Sequence, residues 1–424
     1  MKSLLDKLFF RSNNLDNISQ IIKELSSKPS SSKVFDAINS YSSSSEIRYV
    51  GGCIRKIINN EKIDDIDLAT NLEPKEVCEA LKKNQINYYE TGIDHGTVTA
   101  LIDNYKFEIT SLREDISTDG RHAKVSFSKD WKKDAARRDF TINSIYSDYD
   151  GNLFDPYNGK EDVEKGEINF IGNSDKRIQE DYLRILRYIR FFVNYSKQKH
   201  NLDTIKSIRR NLDGISKLSK ERLIDELRKI LRPNVLQKLV KDKFCLDIIK
   251  IIFPEFKYFN IFSRLNSLAT KMLNEVDFVF FISLLIIDET DNADYFLYRF
   301  NISKKNQKRI KDLDNFYKDK IMNKKLNEKN LNRIFYYNGK EAVIDILNFK
   351  IFKLKKLDND IIELLNLYKN KVKPTMPVKA DILMKKYKIP EGKLLGDKLK
   401  LIEEEWVNNN FQISDQQIEI IANR

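Results

Sequence analysis

The sequence predicts an α+β fold in which a small mixed sheet is followed by a long all-helical remainder. Three observations predict it. Short runs with a period of two, bounded by turn residues, are confined to residues 46–156. Past Asn173 a 3.6-residue period takes over, with Lys- and Asn-rich connections. Only eight prolines serve 424 residues, so helices are seldom interrupted.

Taken in order, the chain opens on MKSLLDKLFFRSNN, basic and apolar but interrupted by Asp6 and followed by Asp16. No small-residue cleavage site follows a clean apolar core, so a soluble start is expected, with an organellar presequence as the alternative. Residues 26–45 are Ser-rich around a helical segment at 34–41, which predicts a mobile arm. Ile47–Val50, Thr97–Ile102 and 105–112 read as strands, the last two joined by Asp103-Asn104 as a tight turn. A helix begins at Pro74, suited to a first helical position, and runs through Ala80. Asp150-Gly151 marks a second hairpin between 142–147 and 153–155. Farther on, 179–193, 221–231 and 360–368 read as helices, and no fixed-period repeat is visible.

Composition narrows the partners. Lys plus Arg is 75 and Asp plus Glu is 63, a net charge of +12 that suits a polyanion such as RNA, or simply Lys-rich solvated faces. Cys53, Cys78 and Cys245 form neither a zinc pattern nor a disulfide framework, which points to a reducing compartment and a cytoplasmic protein. The most apolar stretch, 278–287, is too short to span a bilayer.

The chemistry concentrates after the first strand. Gly51-Gly52 follows it directly, Arg55 comes three residues later, and Asp65-Ile66-Asp67 lies thirteen residues past Gly52. In a strand, residues two apart face one side, so both carboxylates would point at one spot. Phosphoryl transfer from a nucleoside triphosphate needs such a spot for Mg²⁺, a hard cation that takes oxygen ligands. The glycines would let backbone amides approach a triphosphate, and Arg55 would offset its charge. Each piece alone is weak: an isolated Asp-x-Asp is usually a solvated turn. Glu108 adds a third carboxylate on the face opposite Phe107 and Ile109, either as part of the site or as an ordinary polar-face residue.

In these residues the chain resembles the second class of tRNA nucleotidyltransferases, together with bacterial poly(A) polymerases. The matching segments are GGCIR (51–55), DIDLAT (65–70), GIDHGTVTA (92–100), FEITSLRED (107–115), TDGRHAKVSF (118–127), AARRDFTINSI (135–145), DPYNGKEDV (155–163) and EDYLRILRYIRF (180–191). The likeness is strong over about 46–232 and fades beyond. It implies an arm at 1–45, a nucleotidyltransferase head at 46–156, a neck with a base-recognition helix at 157–232, and an elongated helical body and tail at 233–424 that bind tRNA. It further implies catalysis and Mg²⁺ ligation by Asp65 and Asp67 and triphosphate contacts from Gly52 and Arg55, while Glu108 stays a third catalytic candidate from the strand pattern alone. Arg138 and Asp139 would handle the nucleotide, Asp139 near the ribose. Asp181 and Arg184 would recognise the base, with Arg187 and Arg190 in support. Lys56 departs from the family, which usually has Asp after the Arg.

The base-recognition claim has a physical argument of its own. Adenine and cytosine each present an amino donor beside a ring-nitrogen acceptor, whereas guanine and uracil present the reverse. A carboxylate only accepts and a guanidinium only donates, so Asp181 with Arg184 would take A and C and leave G or U with unpaired polar groups. Helical spacing of three would make the two neighbours, keep Arg187 close to Arg184, and turn Arg190 about half a turn from Asp181. Tyr182, Leu183, Leu186 and Ile189 are expected to be core.

Residues 113–130 read as a mobile polar loop. In the family such a loop helps the switch from C to A addition, and Asp119, Arg121 and His122 are present here. His122 could be a general base or a loop histidine near phosphate; His95 reads as structural. Nine aromatics of the body (Tyr258, Phe259, Phe262, Phe278, Phe280, Phe281, Tyr295, Phe296, Tyr298) are mostly spaced as core. The expected activity is template-independent addition or repair of the 3′ CCA of tRNA from CTP and ATP, with no membrane and no obligate protein partner. The alternatives are a poly(A) polymerase, an enzyme adding only A or only CC, and a non-catalytic basic RNA-binding protein.

Overall fold

The computed structural model describes residues 15–63, 66–117, 124–319, 326–356 and 358–423. The chain divides into two compact units, Met1–Glu226 and Leu227–Arg424.

The first unit is built on a seven-stranded mixed sheet. Its strands are β1 (Ile47–Val50), β2 (Ile66–Thr70), β3 (Asn87–Gly92), β4 (Thr97–Ile102), β5 (Tyr105–Ser111), β8 (Tyr146–Ser147) and β9 (Leu153–Phe154), in the order β3-β4-β5-β2-β1-β8-β9. Only β2 and β5 run parallel, pairing Ile66 with Phe107, Asp67 with Glu108 and Leu68 with Ile109. Side chains alternate across a sheet, so this register divides its faces. Phe107, Ile109, Leu68 and Tyr49 turn into a core covered by α2 (Pro29–Asn39), α3 (Gly52–Ile58) and α4 (Pro74–Lys83). Asp67, Glu108 and Thr110 lie on the other face. Part of that face, around Val50, Ala69 and Tyr146, is closed by α5 (Trp131–Arg137) through Ala135 and Trp131. The rest stays open.

Several expectations are met closely. β1 and β4 have the expected bounds, Asp103 takes φ 53° in the β4–β5 turn, and Glu73 and Glu76 form a capping box at the start of α4. The Ser-rich arm is corrected. Residues 26–45 are not a mobile tether: α1 (Leu15–Ser26) and α2 pack on the sheet, with Ser26, Ser30 and Ser31 buried. Small side chains let helices approach closely, and Ser26 Oγ donates to Tyr49 Oη at 3.2 Å while Phe35 lies 4.9 Å from the Tyr49 ring. The strand expected at 142–147 shrinks to Tyr146–Ser147, because Thr141–Asn143 forms a 3₁₀ turn. The loop expected at 113–130 is in its described part a ribbon of β6 (Arg113–Ser117) and β7 (Lys124–Phe127). Asp119, Arg121 and His122 lie outside the described residues.

The remainder of the unit is helical: α6 (Gly159–Lys165), α7 (Ser174–Glu180), α8 (Arg184–Tyr195), α9 (Leu202–Arg210) and α10 (Lys220–Ile230), which ends just past the unit. Phe140, Phe170, Tyr188 and Phe191 form its aromatic core, with Phe140 and Phe170 4.6 Å apart. The helix expected over 179–193 is two helices. Asp181 is extended (φ −154°, ψ 105°) and ends α7; its Oδ1 accepts from Leu183 N at 3.1 Å and its carbonyl from Arg184 N at 3.0 Å. A carboxylate that bonds the backbone two residues on competes with helix continuation. Leu183, Leu186 and Ile189 are buried as expected, while Tyr182 is half-buried with its ring against Gly214.

In the second unit every described element is helical, from Pro233–Leu239 to Asp415–Asn423. Phe278–Ile286 is the most apolar helix and is almost wholly buried. Among the described residues no helix is long and apolar enough to cross a membrane. Phe259, Phe262, Phe280, Phe281 and Phe296 are core, whereas Tyr295 and Tyr298 are exposed. Their helix, Asn292–Arg299, buries Ala293, Phe296 and Leu297 instead, which turns both tyrosines outward. Near the C-terminus Leu383, Leu395, Ile402 and Ile418 form a separate small core.

Candidate active site

A cleft of about 570 Å³ opens on the uncovered face of the sheet, and nearly every residue singled out in the sequence lines it. Gly52, Arg55, Asp67, Arg138, Asp139, Asp181, Arg184, Arg187 and Arg190 all do so. Asp65 lies outside the described residues. Glu108 is not among the lining residues but stands in register beside Asp67 on the next strand, exposed.

The carboxylate wall comes from β2. Gly51, at φ +64°, turns the chain from β1 into α3, and a methyl group added at Gly52 would stand 3.2 Å from Asp67 Oδ2. Glycine therefore keeps the space in front of Asp67 clear. The Cys53 thiol behind it is buried and pushed up to about 12 by burial, so it takes no part as a nucleophile.

The opposite wall is arginine. Eight arginines line the cleft against three aspartates, an excess suited to a polyphosphate. A hydrogen-bonded run fixes several of them. Arg55 Nη1 donates to Asn143 Oδ1, Asn143 Nδ2 donates to Asp139 Oδ1 at 2.8 Å, and Arg187 Nε donates to Asp139 Oδ2 at 2.6 Å. Burial alone would push the Asp139 carboxyl up; the Arg187 guanidinium, with Asn143, holds it well below the usual carboxylate range instead. Arg138 reaches Asp134 Oδ2, Tyr146 Oη and the Asn143 carbonyl. The same opposition acts at Asp134, where Arg138 and Arg137 outweigh burial and hold the carboxyl at about 2.

At the mouth of the cleft, Asp181 and Arg184 come together through the turn between α7 and α8 rather than through one helix. Asp181 Oδ2 accepts from Arg222 Nη2 at 2.7 Å. Arg184 Nη1 donates to the Arg177 carbonyl and to Glu180, and Nη2 to the Arg137 carbonyl at 3.4 Å. Arg190 pairs with the buried Glu226. Sequence reading missed Arg113, Arg137, Asn143 and Arg222 as lining residues. Arg137 and Asn143 sat inside a quoted motif, whereas Arg222 comes from α10, 41 residues beyond Asp181, with no local signal.

Asp67 and Glu108 offer only oxygen donors, the ligand set of a hard divalent cation. An acidic wall facing an arginine wall, with glycines between, is an arrangement for a nucleoside triphosphate and its metal.

Comparison with known proteins agrees. A family model for the poly A polymerase head domain matches residues 47–169, one for the RNA and SrmB-binding site of polymerase A matches 201–260, and one for tRNA nucleotidyltransferase domain 2 matches 274–422. The human mitochondrial CCA tRNA nucleotidyltransferase 1 is 44% identical over 206 residues, 48% of this chain and 48% of that protein. The match thus spans about half that relative's length, and the same holds for the mouse protein at 46%. The CCA-adding enzyme of Streptococcus uberis is 30% identical over 372 residues, covering 84% of this chain and 87% of that one. Among solved structures, the Bacillus stearothermophilus CCA-adding enzyme in complex with CTP has the same fold, with a TM-score of 0.69 at 20% identity over 94% of this chain and 98% of that one. The Thermotoga maritima CCA-adding enzyme complexed with tRNA superposes at 0.61, with 19% identity over 96% and 98%. With a relative matched at this identity across most of both chains, and with the motifs gathered in one cleft, the chain belongs to the CCA-adding enzyme family.

Proposed function

We propose that this protein adds or restores the 3′-terminal CCA of tRNA, using CTP and ATP without a nucleic-acid template and releasing pyrophosphate. The observation that carries the reading is the single cleft in which Asp67 faces Arg55, Arg138 and Arg187 across the Gly51-Gly52 turn, in a chain of this family. Asp65 and Asp67 would hold Mg²⁺, which when bound activates the attacking 3′ hydroxyl and offsets charge on the departing pyrophosphate, with Glu108 in register beside Asp67. Arg55 and Arg138 bind the triphosphate, and Asp139 orients the ribose while held by Arg187 and Asn143.

Asp181 and Arg184 select the base. Asp181 spends one oxygen on Leu183 N and the other on Arg222, and each oxygen keeps a lone pair for an amino group. The bonds of Arg184 leave two of its five N–H groups for a ring nitrogen. The 46–156 segment acts as catalytic head, 157–232 as neck and 233–424 as the tRNA-binding body and tail. A cytoplasmic location follows from the bacterial relatives, an organellar one from the mitochondrial relatives.

The test is incorporation of labelled CTP and ATP onto tRNA transcripts lacking three, two, one or no terminal nucleotides. Ordered C, C, A addition that then stops is the expected result. Long A tails without use of CTP would make it a poly(A) polymerase, single-nucleotide activity a partial enzyme, and no incorporation with Mg²⁺ an RNA-binding protein.

A further inference from the structure

We propose that Asp134, buried on α5 outside the cleft, is the positioning residue that sets the arginine wall for the incoming nucleotide; this rests on the nucleotidyl-transfer reading above. Its carboxylate is 1% exposed and fully occupied. Oδ1 accepts from Arg137 Nε at 2.8 Å and from the Arg113 backbone N at 3.3 Å. Oδ2 accepts from Arg138 Nη2 at 3.2 Å and Nε at 3.3 Å, and from Tyr146 Oη at 2.7 Å. One group thus holds the side chains of two adjacent cleft arginines and the first residue of the β6–β7 ribbon.

The geometry separates this role from holding the fold. The backbone of the same segment is pinned independently, since Arg177 Nη2 from α7 donates to the carbonyls of both Arg137 and Arg138. Removing the Asp134 charge leaves that clamp in place and loosens the two guanidinium groups, along with the carboxylate's bonds to Tyr146 Oη and Arg113 N. Arg138 is the one that matters most, because its Nη1 lies against the Gly51-Gly52 turn: a methyl at Gly51 would stand 3.4 Å from it. A guanidinium that can rotate must be ordered again each time a triphosphate binds, which weakens nucleotide binding more than it slows the chemical step.

The experiment compares Asp134→Asn, Asp134→Glu and Tyr146→Phe in the full-length protein for melting temperature, for KM and kcat with CTP and ATP on tRNA, and for calorimetric ATP binding without turnover. Asp134→Asn is expected to raise both nucleotide KM values about tenfold or more with kcat within about threefold. Asp134→Glu, which keeps the charge, recovers part of that loss. Tyr146→Phe removes a hydroxyl that accepts from Arg138 Nε and donates to the same carboxylate but leaves both arginine–carboxylate contacts, and is expected to lower the melting temperature and to raise KM less than Asp134→Asn does. Should Asp134→Asn not fold, Asp134→Glu carries the comparison. A folded variant of either kind with parental KM, or Tyr146→Phe raising KM as much, overturns the proposal. If the parent incorporates neither nucleotide, the activity reading fails instead, and the tenfold weakening of ATP binding still decides the role of Asp134.

Discussion

At the residue scale the cleft works by pairing charges whose burial would otherwise be costly. Asp139 and Asp134 are ionised inside the protein because arginines face them, and both carboxyls sit below the ordinary range. Groups depressed in this way add stability that is complete above about pH 4 and is lost as pH falls towards 2, roughly 2 kcal/mol for Asp134. Melting temperatures taken stepwise from pH 5 to pH 2.5 are expected to fall most steeply below pH 4, and Asp134→Asn should flatten that fall. Arg184 invites a selectivity measurement. With Arg184→Ala the ratio of kcat/KM for CTP over UTP is expected to drop about a hundredfold; an unchanged ratio would sink the base-pairing argument. These residues were readable in the sequence to different depths. Asp67 and Arg55 stand in short-range patterns whose chemistry is visible locally. Arg222 acts through a partner that only the fold brings near, and nothing in its own neighbourhood marks it, whereas Asp134 stands three and four residues before Arg137 and Arg138, a local spacing whose burial alone the sequence hides.

Elements show where local pattern succeeds and where it stops. β1 and β4 alternate clearly around a core face, and so have the bounds their sequence suggests. In the two-stranded β6–β7 ribbon, β6 (Arg-Glu-Asp-Ile-Ser) is charged and polar and only the four residues of β7 (Lys-Val-Ser-Phe) alternate, so the apolar alternation that marks a core strand is not sustained. The 179–193 stretch keeps its apolar period through Tyr182 and Leu183, and that continuity hides the turn Asp181 makes with its own side chain. The Ser-rich N-terminal segment misleads differently: composition cannot tell a tether from a helix whose serines are small enough to dock. Docking of α1 can be tested at Gly151, where φ is +83° and a methyl group would stand 2.6 Å from Ser19 Cα. Gly151→Ala is expected to cost roughly 2–3 kcal/mol, read as a lower melting temperature. Incorporation at 25 °C should persist, since Gly151 lies in the β8–β9 turn and does not line the cleft; an unchanged melting temperature would mean that α1 contributes little.

Across the whole molecule, the net charge of +12 falls in the second unit, with 38 Lys and Arg against 26 Asp and Glu, while the first unit, which contains the cleft described above, has 37 of each. If phosphate contacts dominate tRNA binding, raising salt from 50 to 200 mM should weaken it about tenfold or more. A flat dependence would make the basic surface incidental. The order of the strands also sets a timetable. β1 pairs with β2 about twenty residues later, yet Tyr49 also pairs with Ser147, which follows it by nearly a hundred. At about 5–20 residues per second, some 5–20 s of synthesis separate the two. Within that interval Asp67, Glu108 and then Arg138 are made, and Arg184 and Arg187 follow only after it. Arg55 and Asp67 are therefore made first, and most of the arginine wall joins them only later in synthesis.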